Sequence, residues 1–463
     1  MINPDTFSIS DYLNKTFSCN CGRDHTTAIK DIDISQGAIH RIPGHMERFG
    51  YKKAFLISDY NTHKVAGKKL YEILNQKGIP TIDFVFQDPL VVPDEKTIGE
   101  LLVAFKDDCD VIIAVGSGTI NDIGKYMSHK LGKEYFVVAT APSMDGFAST
   151  GAALIINNLK TTYNTHSPQM IIADIDIISQ APMNMITAGL GDILGKYTCL
   201  CDWKIANIIN NEYYCEKVVE MVNVSIAKVV GSIDGLESRA PQAIYNITEA
   251  LMLAGIAMSF VDNSRPASGS EHHISHYWEM KFLLEGKEAV LHGTKVGIGT
   301  VAILKLYEML QDIKIDFEQA RDVAKRFDIT KWEKNIRRTF GEAAQGVIEL
   351  EKVTKKNEAK GQLKRIDTIE RKWNEMIKVL EKTLPKAEVV EAMLAQVGAS
   401  MNPEQEGIGF DTMVDSIVVA KEVRDRYTLL QILWDLGISE EMGNKIGLYF
   451  KEGQKTQDYL HYL

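Results

Sequence analysis

The sequence predicts an α/β N-terminal domain, a Rossmann-like parallel sheet with helices on both faces, followed by an all-α C-terminal domain, with the division at residue 180. Three observations carry this reading. Between Lys52 and Asp174 short β-rich runs alternate with helix-like segments, the pattern of a parallel sheet. One run breaks into a Gly-Ser-Gly turn at 116–118 that opens a helix. Beyond Ala181-Pro182 the periodicity becomes that of long helices with few β-rich runs.

The elements follow in order. KKAFLIS (52–58) is a strand, followed by a helix through Lys64 to Gln76; TIDFVFQ (81–87) is the next, followed by a helix from Pro93 to Lys106. DVIIAV (110–115), a helix through Lys125 to Leu131, and EYFVVAT (134–140) continue the alternation. ALIIN (153–157) and MIIAD (170–174), separated by Lys160 to Pro168, predict two further strands at an edge. A ligand site is expected at the strand C-terminal ends, where Ser58-Asp59, Gly116 to Thr119 and Thr140 to Ser143 fall. In the helical domain, Ser264 to Gly299 is the most polar and least regular stretch, where a rigid scaffold tends to present functional groups. Lys352 to Lys382 is dense in charge but keeps helical apolar spacing, so it reads as a solvated amphipathic helix.

Composition narrows the function. At 463 residues and 45% apolar content the chain supports sizeable cores. Its net charge of -10 and the lack of a basic stripe interleaved with aromatics argue against nucleic acid or anionic membrane as partners. No apolar stretch is expected to span a membrane, and Met1-Ile2-Asn3-Pro4-Asp5 lacks a signal peptide's basic start, so a cytoplasmic protein is expected. The six cysteines fit that compartment as reduced thiols. Cys109, Cys199, Cys201 and Cys215 are expected to pack as small hydrophobes. Cys19, Cys21 and His25 offer two thiols and an imidazole close together, but no fourth ligand is evident beside them and Cys-x-Cys is not the usual knuckle.

The chemistry-bearing motifs lie elsewhere. Glu271-His272-His273-Ile274-Ser275-His276 and Leu291-His292-Gly293 concentrate imidazoles, with the acidic step Gly191-Asp192-Ile193-Leu194-Gly195-Lys196 upstream. An Asp/His/His set can hold a divalent ion and leave a coordination position open, as catalysis requires. The same cluster also reads as hydrogen-bonded histidines that ligate nothing. His272 and His276 share one face of a helix, whereas His273 points roughly 100° away. In GSGTINDIGK (116–125) a strand breaks into small residues and then a helix, an arrangement that presents amides to a pyrophosphate. Gly116 and Gly118 admit close approach, and Ser117 and Thr119 add hydroxyls. Alone this motif is neither Gly-x-Gly-x-x-Gly nor a Walker loop, and a Gly-rich turn after a strand is more often only a turn.

Taken together, the motifs resemble the dehydroquinate synthase and iron-containing alcohol dehydrogenase superfamily and, within it, the bacterial sn-glycerol-1-phosphate dehydrogenases. The resemblance rests on CNCGRDH (19–25), LISD (56–59), GSGTINDIGK (116–125), TAPSMDGFAS (140–149), GLGDILGKYT (189–198), GSEHHISHYWE (269–279) and LHG (291–293). It implies a dehydroquinate synthase-like fold with Asp192, His272 and His292 as ligands of one divalent ion, which zinc, nickel or iron would suit. It implies Gly116, Ser117, Gly118, Thr119, Ile120, Thr140, Ser143 and Ser149 as contacts of NAD(H) or NADP(H). Asp145, Asp192 and His276 become substrate contacts, His276 supplying the proton and Asp145 orienting hydroxyls. Asp59, ending KKAFLIS, is placed to accept from a ribose hydroxyl and repel a 2′-phosphate, with Ser58 softening the discrimination. Iron-type alcohol dehydrogenases carry a second metal-binding histidine four residues after the aspartate; here Lys196 stands instead, and its ammonium can attract a phosphate. The implied activity is reversible reduction of dihydroxyacetone phosphate to sn-glycerol 1-phosphate by a homo-oligomer acting on a small phosphorylated three-carbon substrate. A glycerol or other polyol dehydrogenase is the alternative, and further off a dehydroquinate synthase, which normally has glutamate where this chain has Asp192.

Overall fold

Two very short strands, β1 (Phe17–Ser18) and β2 (Asp24–His25), pair antiparallel ahead of the main sheet. That sheet is built from β3 (Asp31–Ser35), β4 (Ala54–Asp59), β5 (Thr81–Phe86), β6 (Val111–Gly116), β7 (Glu134–Ala139) and, after a hairpin of β8 (Gly151–Ile156) and β9 (Leu159–Asn164), β10 (Met170–Asp174). Its order is β3-β10-β7-β6-β4-β5 and every pairing is parallel. The computed structural model describes residues 8–88, 90–156 and 159–460.

Parallel strands covered on both faces need near-continuous apolar runs, and β6, VIIAVG, is buried throughout. The chain steps from β4 to β5, then returns across β4 to β6 and runs on to β7 and β10, so the winding reverses between β4 and β6. The crevice at the carboxyl ends of such a pair is where doubly wound sheets bind ligands. Asp59 ends β4 and Gly116 ends β6.

Three details differ from the sequence reading. MIIAD is not an edge strand: β10 lies between β3 and β7, fully buried, as its unbroken apolar run requires. The edge is β3, whose DIDIS alternation went unread as a strand. Gly151–Ile156 stays outside the main sheet and pairs with Leu159–Asn164, so much of the expected connector is a return strand; Asn157 lies outside the described residues.

The chain through Ile193, together with Glu216–Ser264, forms one compact unit; Leu194–Cys215, together with the chain from Arg265 onward, forms the other. Where the sequence suggests a boundary near residue 180, the contacts carry two later helices back to the sheet. The helix Pro241–Val261 packs on β3, and the helix Glu216–Val230 packs on it. Pro241–Val261 is long and apolar enough to cross a membrane, which the sequence reading had not anticipated, but 83% of its apolar window is buried, as in a core helix.

The second unit is helical. The stretch expected to be irregular, 264–299, is mostly the helices Ser270–Leu284 and His292–Asp312. They bury Ile274, Trp278, Phe282, Ile298, Ile303 and Tyr307 in one core with Ile417 and Leu433 from the C-terminal part. Ala359–Thr383 is the amphipathic helix expected there, burying Ile366, Ile369, Met376 and Leu380.

Within this unit Glu422 is buried against Lys421 and accepts from Trp332 Nε1 at 2.9 Å and Asn357 Nδ2 at 2.8 Å, with Lys356 Nζ 3.3 Å from its second oxygen. Burial alone would raise its pKa, but Lys421 and Lys356 outweigh that and carry it from 4.5 to about 2. Glu422→Ala should cost about 3–5 kcal/mol, because it removes the carboxylate that pairs the buried Lys421 and the part-buried Lys356. A lowered carboxylate stabilises the fold above its ordinary pKa, and that contribution is lost as pH falls through the folded value. The gap in unfolding free energy between wild type and variant should therefore shrink between pH 4.5 and about 2. Chemical denaturation across that range measures it; a gap that stays constant would contradict the assignment.

Candidate active site

In the first unit the helix Gly118–Leu131 begins where β6 ends, so its N-terminal amides open at the carboxyl edge of the sheet. Ser117 Oγ lies 2.5 Å from Ser143 Oγ, and Thr140 N–H donates to Gly116 C=O at 3.2 Å, so the turns after β6 and β7 stand side by side. Thr119 and Ile120 follow in the helix's first turn, with Ile120 buried. Gly116 has a structural reason to be glycine: a Cβ there would stand 2.5 Å from Ile120 Cβ. Gly118 meets only ordinary contact, with Met144 at 3.6 Å. Ser149 Oγ donates to Gly146 C=O at 3.0 Å and accepts from Lys125 Nζ at 3.2 Å. Lys125, itself fully buried, also donates to Gly146 C=O at 3.0 Å and Gly151 C=O at 2.8 Å, and so ties down the loop that carries Ser149.

Asp59 is partly committed. Its Oδ1 accepts from Thr62 N–H at 2.8 Å, capping the short helix Tyr60–Thr62, and Ser58 beside it is fully buried. Asp192 lies on the helix Met183–Leu194 with its carboxylate buried and Oδ2 accepting from Asp145 N–H at 2.9 Å. That contact depends on Gly189, where a Cβ would come within 1.9 Å of Pro142 C=O; only glycine lets the loop lie directly on the helix.

In the second unit three imidazoles meet. Ring centroids lie 5.1 Å apart for His272 and His292, 5.7 Å for His276 and His292, and 6.1 Å for His272 and His276. The ligand atoms of His272 and His292 lie within 4.8 Å of each other. Each ring is oriented by a carboxylate. Glu279 receives His276 Nδ1 at 3.0 Å on one oxygen and His292 Nδ1 at 3.3 Å on the other, with Lys295 Nζ 3.1 Å from the latter. Glu271 receives His272 Nδ1 and Gly269 N–H, both at 2.7 Å, and Thr198 Oγ1 at 2.6 Å. Because a carboxylate accepts, each ring donates from Nδ1 and presents Nε2, the arrangement typical of metal-binding histidines. Burial pushes the Glu271 carboxyl up, against the Thr198 hydroxyl and the Gly269 amide, which favour its ionised form.

His273 is fully buried on the helix's other side, and burial holds it well below its ordinary pKa, hence neutral. Lys196 is also fully buried, with Nζ donating to Ala267 C=O at 2.9 Å. The more accessible cation is Arg424, whose Nη2 lies 3.4 Å from His276 Nε2.

Sequence reasoning missed Glu271, Glu279, Lys125 and Arg424. The two glutamates stand inside the quoted histidine motif, at one and three residues from a histidine, and that adjacency was a usable signal. Lys125 also closes a quoted motif. Arg424 lies in VRDR, a basic pair in an apolar stretch far from any histidine in the sequence.

Comparison with known proteins bears on this geometry. Residues 33–182 match the family model described as iron-containing alcohol dehydrogenase. The glycerol-1-phosphate dehydrogenase [NAD(P)+] of Halalkalibacterium halodurans is 31% identical over 419 residues, covering 90% of this chain and 95% of the relative. That of Geobacillus thermodenitrificans is 32% identical over 424 residues, covering 90% and 95%. Among solved structures, a probable glycerol dehydrogenase from Sinorhizobium meliloti superposes with a TM-score of 0.62 at 14% identity, covering 92% of this chain and 98% of that one. The glycerol dehydrogenase of Schizosaccharomyces pombe gives 0.59 at 15% identity, covering 93% and 92%. These two share the fold.

A single carboxylate that orients two rings is a sharp target. Glu279→Gln keeps the shape but leaves only one oxygen to accept, so divalent-ion binding should weaken roughly ten- to a hundredfold. Competition against a chelating indicator measures this, and unchanged affinity would mean the rings are held by something else.

Proposed function

The chain belongs to the glycerol-1-phosphate dehydrogenase family, among the iron-containing alcohol dehydrogenases, and from that premise we propose that it reduces dihydroxyacetone phosphate reversibly to sn-glycerol 1-phosphate, using NAD(P)H and a divalent ion. The observation that carries the reading is the pair of imidazoles locked on Glu279 with the Arg424 guanidinium beside one of them.

We assign the ion to Asp192, His272 and His292. One carboxylate and two imidazoles suit zinc, nickel or iron, and a three-ligand set leaves a position for substrate. The donor chemistry fits: His272 and His292 each have Nδ1 engaged by a glutamate, and Asp192 is a buried carboxylate fixed by a backbone amide. When bound, the ion supplies Lewis acidity toward the substrate carbonyl, and the nicotinamide supplies hydride. The remaining work falls to the chain. The amides opening the helix Gly118–Leu131, with Ser117, Thr119, Thr140, Ser143 and Ser149, receive the dinucleotide. Gly116 and Ile120 shape the turn. His276, held through Nδ1 by Glu279, takes up a proton from solvent at Nε2 and passes it to the reduced oxygen. Asp145 orients the substrate hydroxyl.

Asp59 favours a ribose hydroxyl over a 2′-phosphate, but part of its carboxylate is spent on a helix cap. NAD(H) should therefore bind at least as well as NADP(H), with both usable. Cytoplasmic residence and a homo-oligomeric state belong to the same proposal, consistent with cysteines used as thiols; cell fractionation and light scattering test them.

Two cations compete for the phosphate. Arg424 is reachable as it stands, whereas Lys196 would have to leave the Ala267 carbonyl. A charge-assisted phosphate contact is worth about 1.5–3 kcal/mol, roughly ten- to a hundredfold in affinity. Arg424→Ala should raise KM for dihydroxyacetone phosphate by that factor and leave turnover of unphosphorylated dihydroxyacetone nearly unchanged. A larger effect from Lys196→Ala would move the phosphate to Lys196. His272→Ala and His292→Ala should each lose both the ion and the activity. Should the wild type use dihydroxyacetone or glycerol as efficiently as their phosphates, the reading gives way to a polyol dehydrogenase.

A further inference from the structure

The hairpin β1–β2 poses a problem that the catalytic reading does not solve. Two residues per strand cannot hold a hairpin together in water. Yet the turn between them is tightly built: Cys19 N–H donates to Arg23 C=O at 3.1 Å, Gly22 N–H donates to Cys19 C=O at 3.0 Å, and Gly22 adopts the left-handed φ of 85° that such a turn needs. The turn brings Cys19, Cys21 and His25 together with their ligand atoms within 4.8 Å of one another.

His25 is buried, and its Nδ1 lies 2.8 Å from Phe260 C=O. A carbonyl can only accept, so Nδ1 carries the proton and Nε2 presents a lone pair. That Nε2 is 3.4 Å from Cys21 Sγ. A tetrahedral zinc ion with ordinary bond lengths separates a sulfur and a nitrogen ligand by about 3.6 Å. Phe17 and Phe260 stack around the imidazole at 5.3 and 5.5 Å, shielding it from water. The carbonyl behind the ring and the aromatic shell are what a metal-bound histidine needs outside its first contacts.

A closed tetrahedral site needs one more ligand. Cys215 is fully buried and is bonded directly to Glu216, the first residue of the helix Glu216–Val230. That helix packs on Pro241–Val261, which supplies Phe260. We propose that Cys19, Cys21, His25 and Cys215 form a structural zinc site, separate from the catalytic ion, that staples the N-terminal hairpin to the helical pair covering the sheet. Three thiolates and one imidazole select a soft ion, and four protein ligands leave no position for substrate. Cys215 thereby changes from the small hydrophobe the sequence suggested to a ligand.

The test uses the full-length protein loaded with cobalt in place of its native metals. The catalytic set contains no sulfur, so a thiolate-to-cobalt charge-transfer band reports this site alone, whatever becomes of the dehydrogenase reading. Wild type and His292→Ala should both show the band, together with the strong visible absorption of tetrahedral cobalt; Cys19→Ser, Cys21→Ser and Cys215→Ser should lose it, and Cys109→Ser should keep it. On zinc-loaded wild type, a thiol-blocking mercurial should release one equivalent of zinc per chain. If the cysteine variants fail to fold, the wild-type spectrum decides by itself. Absence of the band in cobalt-loaded wild type, or its full retention in Cys215→Ser, would overturn the proposal.

Discussion

Glu279 is the constraint on which the helical half of the site depends. Its two oxygens take the Nδ1 groups of His276 and His292, and Lys295 balances the charge. Those rings come from two different helices, so one carboxylate sets both the tautomers and the angle at which the nitrogens meet. Glu271 does the same for His272, anchored in turn by Thr198 and Gly269. The histidines are thus positioned by carboxylates on their Nδ1 side, which is the economical way to build a preorganised centre.

The C-terminal part of the chain carries more of this than its plain helical periodicity suggests. Asp202 is fully buried and accepts from Tyr307 Oη, Ser270 N–H and Leu429 N–H. It therefore joins the first turn of the histidine-bearing helix to a helix more than 150 residues later in the chain. Burial, with Glu271 nearby, pushes its carboxyl up to about 6. Lys421 and Glu422 anchor the turn from which Arg424 reaches His276. The C-terminal part of the chain thus supplies, in Arg424, a guanidinium 3.4 Å from His276 Nε2.

The sequence was most legible where one period dominated a segment. KKAFLIS, DVIIAV and EYFVVAT are strands of a parallel sheet because that environment demands unbroken apolar runs, and the ligand edge was expected at their C-terminal ends. It was least legible where tertiary context overrode local pattern. MIIAD has the apolar run of a central strand, but its place last among the strands in chain order puts it at an edge until β3 covers it, and DIDIS reads as a polar linker until a parallel neighbour pairs with it. The polarity of Ser264 to Gly299 suggested irregular chain, but most of it is helix whose charged groups are satisfied internally. The histidine motif gave its imidazoles but not the roles of the two glutamates that stand inside it. It could not give Arg424, 148 residues from His276, since long-range proximity leaves no trace in one sequence.

Carboxylates fix the three imidazoles with Nδ1 protonated and Nε2 available. Nitrogen-15 NMR of histidine-labelled, metal-free protein reads this directly, since protonated and unprotonated ring nitrogens resonate far apart. With assignments from single histidine variants, His272, His276 and His292 should each show a protonated Nδ1 and an unprotonated Nε2, and His276 and His292 should both change in Glu279→Gln. Finding Nε2 protonated in His272 and His292 would contradict the account, because neither ring would then present a lone pair to an ion.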